Sequence, residues 1–187
     1  MKNIVRAVKT SVLAMTMPLL TATNDANAND ALLCAANAND AALCAAIASD
    51  AALCVDMAEK KQWTRAMPAC KAAAERGSIM PQFVLGYMYE KGQGVAQDYA
   101  QAVRWYRQAA AQGMDAAQYS LGLMYGQGQG VAQDYVKAHM WFNLAARLGD
   151  ADSVKARDIT ERQMTREQIA QAQQMARDCV AKKYKGC

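Results

Sequence analysis

A single histidine, His139, stands in the whole sequence. Hydrolytic zinc centres draw on several ligating side chains, and one histidine cannot supply the usual set. Serine is scarce as well: Ser11, Ser49, Ser78, Ser120 and Ser153 are all there are, and none opens an S-x-x-K nucleophile motif. Gly92-x-Gly94 and Gly126-x-Gly128-x-Gly130 have the spacing of phosphate loops but lack the lysine of one. They also follow helical rather than strand patterns, so turn geometry accounts for them. The excess of positive charge is small, +4 overall, which argues against nucleic acid or an anionic membrane as partner. The apolar run within Ser11–Leu20 is too short for a membrane span of roughly 20 residues. These absences leave no catalytic residue, no metal site and no cofactor to expect.

What the sequence does have is internal repetition. Laid without a gap over residues 117–152, residues 81–116 match at 18 of 36 positions. The matches include the unbroken run GQGVAQDY, at Gly92–Tyr99 and again at Gly128–Tyr135. Leu85-Gly86-x-Met88-Tyr89 recurs as Leu121-Gly122-x-Met124-Tyr125, and Trp105 recurs as Trp141. Such a fixed period marks a stacked repeat array.

Each copy reads as two helices. Leu85, Met88 and Tyr89 fall at helical spacing, and the segment halts at Gly92-Gln93-Gly94. Asp98 stands at an N-cap position before the stripe Ala102, Trp105, Tyr106, Ala109 and Ala110. Gly113 closes the second helix as a left-handed cap. Gly86 and Gly122 lie inside helices, where glycine costs about 1 kcal/mol relative to alanine. The spacing predicts a close approach there, against the alanines of the partner helix. His139 falls on the second helix of the second copy, a place for a packing or surface residue. Asp98, Asp134, Asp150 and Asp152 sit at helix starts or turns, where capping suffices to explain them.

The pattern AQ-x-x-LG-x-MY-x-x-G-x-GV-x-x-D-x-x-x-A-x-x-W-x-x-x-AA-x-x-G resembles the Sel-one-like repeat (SLR), a relative of the tetratricopeptide repeat. The second copy carries nearly all of it, while the first departs at Pro81. The resemblance implies an all-α fold, a right-handed α-α superhelix or solenoid, that binds a protein or peptide partner. Cysteine-containing exported relatives have been linked to β-lactam binding or hydrolysis, which makes such an enzyme one alternative reading. An adhesion, regulatory or host-facing factor is the other.

Residues 1–28 resemble a secretory signal: Lys2, Arg6 and Lys9 precede the apolar core, and Ala26-Asn27-Ala28 fits a cleavage site. Its removal would leave a formal charge of +2. Leu33 is too bulky for a lipoprotein site at Cys34. Residues 29–48 form an alanine- and asparagine-rich leader built on a decapeptide repeat that places Cys34, Cys44 and Cys54 ten apart. That spacing lacks the C-x-x-C pairs and histidines of zinc sites. Residues 49–80 read as an atypical first hairpin, with helices near 42–59 and 62–76 and Trp63 in the register of Tyr99. Pro68 is expected to kink or weaken its second helix. Residues 153–187 supply capping helices, the last opened by the capping box Thr165-x-x-Gln168.

Six cysteines in an exported chain imply disulfides. Cys54 and Cys70 each lie about eight residues from the turn at Lys61-Gln62, so antiparallel helices bring them to one level. Cys179 and Cys187 pair if the last helix ends and folds back. Cys34 and Cys44 are then left to each other or to another chain. Partner recognition is expected on first-helix positions that differ between copies, Phe83/Tyr119, Tyr87/Leu123 and Lys91/Gln127, lining the concave face of the superhelix. For Phe83 and Tyr119, packing between repeats is an equal reading.

Overall fold

The structure, a computed structural model, describes residues 41–187, with side chains from residue 48 onward. The signal segment, Cys34 and the first part of the leader lie outside the described residues, as does the side chain of Cys44. All regular structure in the described residues is helical: α1 (Ala41–Glu59), α2 (Trp63–Glu75), α3 (Ile79–Lys91), α4 (Tyr99–Ala110), α5 (Asp115–Gln127), α6 (Tyr135–Ala145), α7 (Ala151–Glu161) and α8 (Arg166–Ala181). A 3₁₀ turn, Ala146–Leu148, joins α6 to α7.

The helices pair as hairpins, α1 with α2, α3 with α4 and α5 with α6, and each second helix packs on the first helix of the next hairpin. No hairpin could bury its apolar face alone, so the core runs along the stack. One cluster gathers Tyr106, Leu121, Met124, Trp141 and Phe142, and a second gathers Cys54, Cys70, Leu85, Met88 and Trp105. The array is an all-α repeat solenoid.

The GQGVAQDY run acts as a turn module. The Asp98 carboxylate accepts from the Gln101 amide at 3.0 Å, and Asp134 accepts from Lys137 at the same distance. Gln97 donates to the Glu90 carbonyl at 2.8 Å and Gln133 to the Gly126 carbonyl at 2.7 Å, tying each loop to the helix it leaves. Gly94 and Gly130 have φ of 73° and 71°. A Cβ on Gly94 would meet the backbone of Trp63 at 2.6 Å, and one on Gly130 the carbonyl oxygen of Tyr99 at 2.3 Å. The glycine loop of each repeat therefore seats on the start of the previous repeat's second helix, with Trp63 in the register of Tyr99.

The in-helix glycines face aromatic rings rather than the expected alanines. A Cβ on Gly86 would stand 2.5 Å from the Tyr106 ring, and one on Gly122 would stand 2.5 Å from Phe142. These rings occupy one register, one turn beyond the alanine that sequence spacing favours, because a flat ring fills the gap a missing Cβ leaves.

Pro68 lies inside α2, which runs without interruption from Trp63 to Glu75 with the proline exposed. Pro81 sits in the first turn of α3, where a missing N–H costs no intrahelical bond. Cys54 and Cys70, both fully buried, are joined as a disulfide with Cα atoms 4.6 Å apart, and Cys179 is joined to Cys187 at 5.6 Å.

The end of the array breaks the pattern. Thr165 and Gln168 form the capping box, but α8 packs against α6 rather than against α7. Asp158 of α7 stands in the register of Gly86 and Gly122. No second helix packs on α7 at this register among the described residues, and α8 covers the core from α6 instead.

Candidate functional site

The six first-helix positions do not behave alike. Phe83 is buried, 6 % exposed, with its ring 5.6 Å from that of Tyr106. Of its two expected places, binding face or packing, Phe83 takes the packing one: its side chain leans toward the second helix of its own hairpin. Tyr119, in the same register, packs against Phe142 at 5.5 Å but stays half-buried. Tyr87 is half-buried with its ring 5.7 Å from Trp63 of the preceding hairpin. Leu123 is half-buried at the edge of the core. Lys91 and Gln127 are exposed at the ends of α3 and α5, and Lys91 pairs with Glu90. The accessible set on α3 and α5 is therefore Tyr87, Tyr119 and Leu123, with Lys91 and Gln127 beside the loops.

Electrostatics distinguish the two ends of this face. Burial raises the Tyr119 hydroxyl above its ordinary range, and the carboxylates of Asp152 and Asp150 raise it further. Burial also raises the Asp115 carboxyl; Arg147 opposes the shift and Asp150 adds to it. At the α3 end Tyr106 donates to Glu90 at 2.7 Å, and burial, then Glu90, pushes its hydroxyl well up.

A hollow of about 480 Å³ opens between α2 and α4, lined by Met67, Lys71, Leu85, Tyr89, Arg104 and Trp105. Between α4 and α6 the matching space is crossed by Tyr125, with Arg107 and Lys137 at 5.7 and 5.4 Å from its ring. The repeated scaffold thus carries different surfaces in successive repeats.

His139 is fully buried on α6 and bonds through Nε2 to the Glu161 carboxylate at 2.8 Å. Its Nδ1 has no partner. It is placed to hold α7 on α6, with no nucleophile beside it among its hydrogen-bond partners. Among the described residues, no group of three or more His, Cys, Asp or Glu side chains could hold a metal ion. No helix among them is long and apolar enough to cross a membrane.

Sequence reading missed the glutamines. Gln82 is buried and donates to the Ala74 carbonyl at 3.1 Å while accepting from Gln112 at 2.7 Å. Gln118, one period on, reaches the Ala110 carbonyl at 3.5 Å. Each satisfies the open end of the preceding repeat's second helix. Their identity in both copies was the available signal.

The geometry defines the class: a stack of helical hairpins whose shared residues build turns and interfaces. The Sel1 repeat matches residues 82–114 and 115–150. Two solved structures are similar along most of the described array. A protective antigen of uropathogenic Escherichia coli strains, with an SLR fold, is 32 % identical over 74 % of this chain, with a TM-score of 0.69. This chain spans 31 % of that protein's length. A Sel1 repeat protein from Oxalobacter formigenes is 33 % identical over 60 % of this chain and 87 % of its own length, with a TM-score of 0.54. No curated protein matches the sequence. The chain belongs to the Sel1 repeat family, whose repeats typically mediate protein interactions.

Proposed function

We propose that the chain is a non-catalytic scaffold of the bacterial cell envelope that binds a protein or peptide along the first-helix face of α3 and α5. One observation carries this reading. Where the two repeats agree, the residues serve turns, caps and core; where they differ at positions 87/123 and 91/127, the side chains are half-buried or exposed. Half-exposed Tyr87, Tyr119 and Leu123 are suited to act as anchors, with Lys91 and Gln127 at the rim. The field of Asp150 and Asp152 at Tyr119 favours a segment that brings a cation to that end. Export is supported by the charge and hydropathy order of residues 1–28 and by paired cysteines, which persist in oxidising compartments. Affinity capture from an envelope fraction, followed by mass spectrometry, tests the proposal. Loss of the captured protein on replacing Tyr119 supports it, and unchanged capture overturns the assignment of this face.

A host-facing role is a second reading. It rests on the likeness to a protective antigen, and it changes the partner and the side of the envelope rather than the mode of binding.

A further inference from the structure

The outer face of α7 is left uncovered at the C-terminal end of the array. A repeat's first helix normally lies against its second, but α8 has left this position and packs on α6. The exposed stripe comprises Ala151, Val154, Lys155, Asp158, Ile159 and Arg162, which line a shallow groove of about 540 Å³. Ile159 is 52 % exposed, and Leu148, in the turn leading into the face, is 85 % exposed. Large aliphatic side chains this open on a helix that lacks its expected neighbour point to an interaction surface.

The order of residues along the stripe specifies the occupant. The stripe is symmetric about the Ala156–Arg157 peptide. Placed antiparallel against itself, the stripe brings Lys155 and Asp158 to the middle of the contact and leaves Val154 and Ile159 on its two edges. Lys155 meets Asp158 of the second copy, and Asp158 meets Lys155 of the second copy. Arg162 comes level with Ala151 of the second copy, beside the exposed carboxylates of Asp150 and Asp152. A two-fold contact repeats each such pairing, so self-complementarity of this kind is what an isologous interface requires. Asp158 is held by Arg157 of its own chain at 2.8 Å and is still half exposed, so its carboxylate has room for a second cation.

We infer that the chain forms a weak two-fold dimer through α7, with Lys155 and Asp158 exchanged across the axis. Eleven helical residues span about 16 Å, so the α7 contact alone buries far less than the roughly 800 Å² per partner of a standard interface. The dimer is accordingly concentration-dependent and sensitive to salt.

Sedimentation velocity on the full chain, exported and oxidised and carrying Cys34→Ser and Cys44→Ser to remove interchain disulfides, tests this from low micromolar to near-millimolar concentration. Wild type is expected to shift reversibly from monomer to dimer. Lys155→Asp and Asp158→Lys each set like charges opposite one another and are expected to be monomeric throughout. An equimolar mixture of the two restores both pairings and is expected to dimerise again. Both side chains are exposed, and circular dichroism checks that each variant is folded. A wild type that stays monomeric overturns the inference and leaves the face to a different partner. A dimer indifferent to both reversals, or a mixture that fails to recover, overturns the antiparallel register.

Discussion

The ring of Phe142 rests on the bare backbone of Gly122: a Cβ there would stand 2.5 Å from the ring edge. Alanine at this position gains about 1 kcal/mol of helix propensity. Overpacking a buried ring costs about 1–3 kcal/mol, and Phe142 is only 3 % exposed and also pinned by Tyr119. Gly122→Ala is therefore expected to destabilise the protein in urea titrations. In a Phe142→Ala background the same change is expected to be neutral or stabilising. Additive effects in that cycle would show that the ring is not the obstacle.

The turn glycines give a graded test. Gly128 and Gly130 share left-handed φ, which costs a residue with a Cβ about 1–2 kcal/mol. A Cβ on Gly128 meets only Gln133 at 3.3 Å, whereas one on Gly130 meets the Tyr99 carbonyl at 2.3 Å. Gly130→Ala is expected to lower the unfolding midpoint more than Gly128→Ala, because the first also pries one repeat from the next. Equal midpoints would mean that the loop does not bear on its neighbour.

How much of this was legible follows from where each residue's constraint is local. Asp98, Asp134 and Thr165 cap helices through amides three residues away, so their roles can be read along the chain. The hairpin of α1 and α2 was legible because a period of 36 residues carries Trp63 onto Tyr99. The partner of Gly122 was not, since a period fixes register but not which side chain leans across. The departure of α8 from α7 was equally hidden: Asp158 stands where Gly86 and Gly122 stand in the other repeats, and a missing glycine has a meaning only once those two are seen under their rings. Phe83 and Tyr119 share a register yet differ in exposure, which no pattern of residue types distinguishes.

Disulfide pairing is expected to stabilise both ends of the described array. In the chain-entropy view, the link between Cys54 and Cys70, 16 residues apart, contributes roughly 3 kcal/mol, and the shorter Cys179–Cys187 loop about 2.5 kcal/mol. Replacing Cys54 and Cys70 by serine should lower the unfolding midpoint accordingly. Non-reducing peptide mapping should yield Cys54–Cys70 and Cys179–Cys187 peptides. A dominant Cys44–Cys70 peptide would overturn the hairpin register.

Export predicts a processed N-terminus. Sequencing of protein from the native cell is expected to start at Asn29 or within a few residues of it. A chain that still begins at Met1 and fractionates with the cytosol removes the ground for both envelope placement and stable disulfides.

The binding face is tested by contrasting residues that share a helix but not an environment. Tyr87, Tyr119 and Leu123 are accessible, and their replacement by alanine is expected to weaken partner capture by about 1–3 kcal/mol each for true anchors. Phe83→Ala removes a buried ring, so its effect should appear as lost stability, about 3–5 kcal/mol, before any effect on binding. Because Tyr119 also packs on Phe142 and Tyr87 on Trp63, each variant is compared at a temperature where circular dichroism shows it fully folded. Lys137 and Arg147, on or just after the second helix of their repeat, serve as surface controls whose removal should leave capture unchanged. If capture falls with Lys137 or Arg147 as far as with Tyr119, the partner engages the opposite side of the array. If it falls only in proportion to lost stability, the aromatic residues hold the repeats together and the anchor assignment fails.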